Sequence, residues 1–275
     1  MTSPETENPK PETWHFQDRG QGPPLLLLHG LGASGFSWRD NLEPLARHFR
    51  VLAPDIPPHG RSPAPLDGDY RLEALVRNVK EFLDRRGLSR IAVAGNSLGG
   101  GLALLLARDC PEMVSALVLL APAAALNRIP WIFYPLRLPG LGLITASLLG
   151  PWMLPWAMRF MYYRRDRITK AAVAGYAGPY REMRRRLALR RLCQSLEIWP
   201  LTEVEAMLKS IRQPALLIWG EKDRVLPVAQ APWIQARLPG AGLVILPEVG
   251  HAPQEEVPDA VNKLIIAFLW PSLIN

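Results

Sequence analysis

Six short stretches of the chain are almost wholly apolar: 25–29, 51–54, 91–94, 116–121, 215–219 and 243–247. Hydrophobic and polar positions do not alternate within them. Such runs predict strands covered on both faces, as in parallel sheets. Between most of them lie segments of helical character: 38–48, 72–86, 99–109, 230–238 and 258–269. Strands alternating with helices predict an α/β fold built on a doubly wound, mostly parallel sheet.

The alternation stops after Ala121 and resumes at Ala215. An interval of that length does not stay structureless inside a compact domain. Its prolines and its later Arg-rich, helix-type stretch predict an inserted helical cap over 122–200, with the core in 13–121 and 201–275. Residues 1–12 are polar and Pro-rich and read as a loose tail. They lack the charged-then-apolar pattern of a secretory signal, which leads us to expect a cytoplasmic protein. Within the insertion, 138–158 carries no formal charge and has the length of a membrane span. Three prolines and three glycines interrupt it, so short apolar helices are the expectation instead.

Hydrophobic residues make up 48% of the chain, enough for a substantial core and too many for general disorder. The net charge of +7 raises the question of a nucleic-acid partner. The positive charge is concentrated, however: 159–191 alone carries +9, which leaves the remainder slightly acidic. A single basic segment predicts no nucleic-acid binding. It does suggest a weak peripheral membrane contact through the cap, with Arg164, Arg165, Arg184, Arg185 and Arg186 facing anionic headgroups. A solvated basic helix is the plainer reading of the same residues. The two cysteines, Cys110 and Cys193, have no metal-ligand or disulfide spacing and read as ordinary buried thiols.

The chemistry is concentrated where the run 91–94 ends in Gly95-Asn96-Ser97-Leu98-Gly99 and a helix-type segment follows. A strand entering a helix through Gly-x-Ser-x-Gly holds the serine on a tight turn above the sheet. A serine needs a base, and the base needs an orienting acid. His251 is the only histidine after Ser97 and follows the last predicted strand. For the acid, Glu221 and Asp223 both follow the strand 215–219, at the carboxyl end where α/β sheets place their sites. An oxyanion would be held by the N–H of Leu98, next after the serine, and by that of Leu31 in the His29-Gly30-Leu31-Gly32 loop. His29 itself reads as structural, its ring bonded within that loop.

Together these pieces resemble the α/β-hydrolase family over residues 14–270. The run Ala53-Pro54-Asp55-Ile56-Pro57-Pro58-His59-Gly60-Arg61-Ser62 is similar to the family's strand-four loop, with Pro58 in place of a glycine. The resemblance implies an eight-stranded sheet with a cap after strand six, and it favours Asp223 over Glu221 as the acid. It also implies an enzyme that needs neither metal nor organic cofactor. Its Ser97 sets the chain apart from members that attack with aspartate. The expected reaction is cleavage of a small-molecule apolar ester through an acyl-enzyme, with the Trp-, Leu- and Met-rich cap lining an apolar pocket. C–C bond hydrolysis of ring-cleavage products, thioester hydrolysis and perhydrolysis use the same residues. A hydrolase-like binding protein without activity is the non-enzymatic reading.

Overall fold

The computed structural model describes residues 10–124 and 130–274, with side chains through Trp270. Most of the expected tail, 1–9, lies outside the described residues. Seven strands form one sheet: β1 (Phe16–Arg19), β2 (Pro24–Leu28), β3 (Arg50–Pro54), β4 (Ile91–Asn96), β5 (Val114–Leu120), β6 (Ala215–Gly220) and β7 (Gly242–Leu246). Their order is β1-β3-β2-β4-β5-β6-β7. Only β1 runs antiparallel to its neighbour; the other pairings are parallel. The six apolar runs each became a strand. β1, Phe-Gln-Asp-Arg, gave no such signal because it is a half-exposed edge strand with little apolar surface to cover.

The described sheet thus has seven strands where the family resemblance implied eight, and the long insertion follows the fifth. The chain before β1 forms a short 3-10 turn, Pro11–Thr13, in which proline at the first position favours a turn over an extended edge partner.

The central strands are buried on both faces, which divides the core in two. Leu26, Leu28, Val93, Leu117, Leu119, Leu217 and Trp219 point to one side. There they meet α2 (Leu72–Asp84), α3 (Leu98–Asp109), α9 (Leu201–Ser210) and α10 (Gln230–Gln235). Leu25, Leu27, Ala92, Ala94, Val118 and Ile218 point to the other, against α1 (Arg39–Ala46) and the C-terminal helix α11 (Pro258–Ile274). Successive strand residues face opposite ways, so a wholly apolar run fills both layers at once.

Between β5 and α9 lie α4 (Tyr134–Arg137), α5 (Leu141–Leu148), α6 (Leu154–Met161), α7 (Lys170–Arg181) and α8 (Met183–Ser195), with three 3-10 turns among them. They carry small apolar clusters of their own, such as Leu136, Ala146 and Cys193. The uncharged stretch 138–158 is divided between α5 and α6, which meet across a bend of 84°. Among the described residues no single helix is long and apolar enough to cross a membrane.

Two buried histidines tie the loops after β2 and β3 together. His29 Nδ1 donates to Gly30 O at 2.9 Å and its Nε2 accepts from the Ile56 N–H at 2.8 Å, which places it within its loop as expected. His59 Nδ1 donates to Ile56 O at 2.8 Å. Burial lowers the His29 pKa from 6.5 to about 4 and that of His59 to about 3. Above about pH 6.5 both are neutral folded and unfolded, and their contribution to stability is complete. As pH falls towards 4 and then 3, the unfolded chain takes up protons that the folded rings refuse, and that contribution is lost. The urea midpoint is expected to fall between about pH 6.5 and pH 4, by the equivalent of a few kcal/mol. His29→Gln, which can still donate to Gly30 O and accept from Ile56 N–H, should flatten that slope; an unchanged slope would contradict the assignment.

Candidate active site

β4 and α3 are joined by a single residue, Ser97, held at φ +54° and ψ −117°. Residues with a Cβ rarely adopt this backbone region, and such strain collects at functional sites. The surroundings enforce it. The Ser97 N–H donates to Leu120 O at 2.9 Å, and Ser97 O accepts from Gly101 N–H at 3.0 Å and Ala123 N–H at 2.9 Å. The flanking glycines are required by space. A Cβ on Gly95 would lie 2.7 Å from the Gly100 nitrogen, and one on Gly99 would lie 2.7 Å from His29 O. Leu98 opens α3, so its N–H has no acceptor within the helix.

The loop after β2 runs close by. A Cβ on Gly30 would stand 3.3 Å from Ser97 Cβ, and Leu31, Ser97 and Leu98 line one cavity. Beyond β6, Asp223 turns one carboxylate oxygen, Oδ1, to the N–H groups of Val225 and Leu226 at 2.8 and 2.9 Å. Its other oxygen, Oδ2, lies 2.8 Å from Nδ1 of His251. The Asp223 side chain is fully buried and that of His251 is 6% exposed. A carboxylate so placed keeps the proton on Nδ1 and leaves Nε2 free to accept one. Glu221, the other acid considered from sequence, is exposed and pairs with Lys222 at 3.2 Å.

Several polar residues that gave no clear signal in the sequence fasten this assembly. Asn96 Nδ2 donates to Leu120 O and to His251 O, both at 3.1 Å, and its Oδ1 accepts from Gln254 Nε2 at 3.3 Å. The residue preceding the serine therefore holds the loop of the histidine. That loop is also bound to the end of α6, where the His251 N–H donates to Met161 O at 2.8 Å. Buried Glu256 accepts from the N–H groups of Tyr163 at 2.8 Å, Arg164 at 2.9 Å and Gly250 at 3.0 Å. Its neighbour Glu255 is buried against Arg39 and the Tyr176 hydroxyl, and burial raises its pKa while Arg39 opposes the rise. Consecutive glutamates look solvent-exposed in sequence; the packing of α1, α7 and the end of α6 on this loop covers them.

The cavity beside Ser97 is lined by residues of α3, α9 and the insertion, among them Leu105, Phe133, Trp199 and Met207. Its charged lining residue among those described is Glu197, which is exposed.

Comparison with known proteins agrees with this architecture. The model of the alpha/beta hydrolase fold family matches residues 23–258. The chain is 31% identical over 255 residues to a pimeloyl-[acyl-carrier protein] methyl ester esterase of Nitrosomonas europaea, covering 89% of this chain and 95% of that one. It is 29% identical over 264 residues to a 2-hydroxy-6-oxo-6-phenylhexa-2,4-dienoate hydrolase of Burkholderia cepacia, covering 93% and 90%. The crystal structure of an alpha/beta hydrolase fold protein from Burkholderia ambifaria superposes with a TM-score of 0.81 at 24% identity, over 92% of this chain and 93% of that one. With its strained serine turn, its parallel sheet and a family match spanning most of its length, this chain belongs to the α/β-hydrolase family.

Proposed function

We propose that the protein is a serine hydrolase that cleaves carboxylic esters of apolar acyl or alcohol groups through an acyl-enzyme. The observation that carries this reading is the buried 2.8 Å contact between Asp223 and His251, on a loop tied through Asn96 to the strained turn of Ser97. Ser97 is the nucleophile, His251 the general base and then acid, and Asp223 its orienting carboxylate. In the first step the Ser97 oxygen bonds to the ester carbonyl carbon as its proton passes to His251 Nε2. The N–H groups of Leu31 and Leu98 hold the oxyanion; one such donor contributes roughly 3–4 kcal/mol to the transition state. The intermediate collapses, the alkoxy group leaves with the proton from His251, and water repeats the sequence on the acyl-enzyme. No step requires a metal or an organic cofactor.

The insertion acts as a cap, and the lining of the cavity supports a neutral, apolar substrate. A dienoate carries a carboxylate that a binding site would pair with a cation. Glu197, exposed at the lining, would repel an anion, which favours a neutral ester over a dienoate such as the one the B. cepacia relative is named for.

A phosphonate reactive towards serine is expected to label the protein at Ser97 and to leave Ser97→Ala unlabelled. In a panel of p-nitrophenyl esters, kcat/KM is expected to rise from acetate to medium-length chains. Each methylene buried in the cavity contributes about 0.8 kcal/mol, roughly fourfold. Acetate preferred over every longer chain, or a dienoate preferred over all esters, would refute the reading.

A further inference from the structure

The outer surface of the insertion inverts the usual distribution of side chains. On α5 the small residues Gly142 and Ala146 face inward, whereas Leu141, Ile144 and Leu148 face solvent. These three lie three and four positions apart and form one face. Trp131, Trp152 and Trp156, on the turns and the helix that flank α5 in the chain, are exposed by 70%, 66% and 69%. A helix at an ordinary protein surface puts its large apolar residues inside. Large apolar side chains exposed in such number within one segment mark an interaction site.

We propose that this face docks the protein on an anionic lipid surface. The charge pattern selects that occupant. From Pro122 through Arg167 the sequence contains six arginines and one acid, Asp166. Arg159, Arg164 and Arg165 are exposed, Arg164 with Asp166 3.5 Å away, and the Arg159 guanidinium stands 6.0 Å from the Trp156 ring centroid. A second copy of the chain would set this mostly positive segment against like charge. Anionic headgroups meet its arginines, while indole rings occupy the boundary between headgroup and acyl chain. The geometry suits lying on a bilayer and not crossing it. α5 and α6 have eight residues each, about 12 Å, against a hydrocarbon core of about 30 Å, and they are bent by 84°.

The basic residues first considered for this role divide into two groups. Arg165 is exposed, as is Arg164, which pairs with Asp166 at 3.5 Å. Arg184, Arg185 and Arg186 are engaged by backbone carbonyls: they donate to Ala64 O at 3.2 Å, to Ser62 O at 2.6 Å and to the carbonyls of Ser147 and Leu149. They fasten α8 to the core and to α5.

The docking face adjoins the cavity. Trp131 and Phe133 share one 3-10 turn; Trp131 is exposed and packs edge-on against Phe160 of α6, while Phe133 lines the cavity beside Ser97. If the hydrolase reading holds, an amphiphilic ester lifted from the lipid surface meets apolar side chains on the turn that leads to the serine's cavity. Docking itself does not depend on that chemistry.

The test is sedimentation of the full-length chain carrying Ser97→Ala with sucrose-loaded vesicles of phosphatidylcholine alone or mixed with phosphatidylglycerol. The protein is expected to pellet with the anionic vesicles, less so at high salt. Trp152→Ser with Trp156→Ser is expected to weaken partitioning about tenfold per tryptophan, the cost of leaving one large apolar side chain in water. On an otherwise native chain the double variant should keep its turnover of a short water-soluble ester, which shows that it is folded. Recovery in the supernatant with both vesicle types would overturn the proposal. So would equal pelleting of parent and double variant, or a parent dimer that the tryptophan substitutions dissociate without any vesicle binding. Because sedimentation is read on the Ser97→Ala chain, absence of esterase activity would sink the hydrolase reading alone.

Discussion

Asp223→Asn is expected to lower kcat about 10⁴-fold while leaving the fold in place. The aspartate satisfies three donors: its Oδ1 accepts the N–H groups of Val225 and Leu226, and its Oδ2 accepts from His251 Nδ1. An amide has one accepting oxygen. If that oxygen stays with the two backbone N–H groups, the NH₂ faces Nδ1 and drives the imidazole proton to Nε2. The ring can then no longer take a proton from Ser97. If the amide flips, two buried N–H groups confront a donor instead. Steady-state turnover of an ester and the rate of phosphonate labelling should fall together, with only a small change in thermal midpoint. Activity within tenfold of the parent would remove Asp223 from the mechanism. Glu221→Gln is the control. Its carboxylate is exposed beside Lys222, and turnover should be unaffected.

The second large effect is expected at Gly250. A Cβ there would lie 2.7 Å from the Tyr163 nitrogen and closer still to Met161 O, both backbone atoms at the end of α6. Neither can move away as the tip of a side chain could. Gly250→Ala must therefore push the histidine loop and α6 apart, beginning with the bond from His251 N–H to Met161 O. Displacement by about 1 Å at a catalytic group costs about 10²-fold. We expect kcat to fall by about that factor with KM changed much less, because Gly250 is remote from the residues lining the cavity. A loss confined to KM would show instead that the loop shapes the pocket and that the position of His251 tolerates the shift. The same contact has a structural implication. α6 carries the exposed Trp156 and, at its end, Met161 O accepts from the His251 N–H, so the exposed tryptophan and the histidine loop share one short helix.

Much of this organisation is legible in the chain. The runs 25–29, 51–54, 91–94, 116–121, 215–219 and 243–247 are apolar because parallel strands between two helical layers have no solvent face, and composition alone exposes them. The serine turn is legible because its geometry tolerates few sequences: glycine at 95 and at 99 is dictated by backbone atoms that approach too closely for any Cβ. His251 was the only histidine after Ser97. By contrast, β1 escaped notice because an edge strand is selected by hydrogen bonding to β3 more than by burial.

What the sequence determined by itself was local in character: where strands and helices form, where the chain must turn tightly, and which residue types stand at strand ends. These follow from the steric and apolar demands of a few neighbouring positions. Only the tertiary structure shows Asp223 buried against His251 while Glu221, after the same strand, stays exposed beside Lys222. It alone engaged Arg184, Arg185 and Arg186 with backbone carbonyls while leaving Arg165 exposed. It alone covered Glu255 and Glu256 and brought Asn96 to the histidine loop, 155 residues away. Burial and long-range hydrogen bonding are properties of the assembled surface, and residues remote in the chain acquire them only when the layers close.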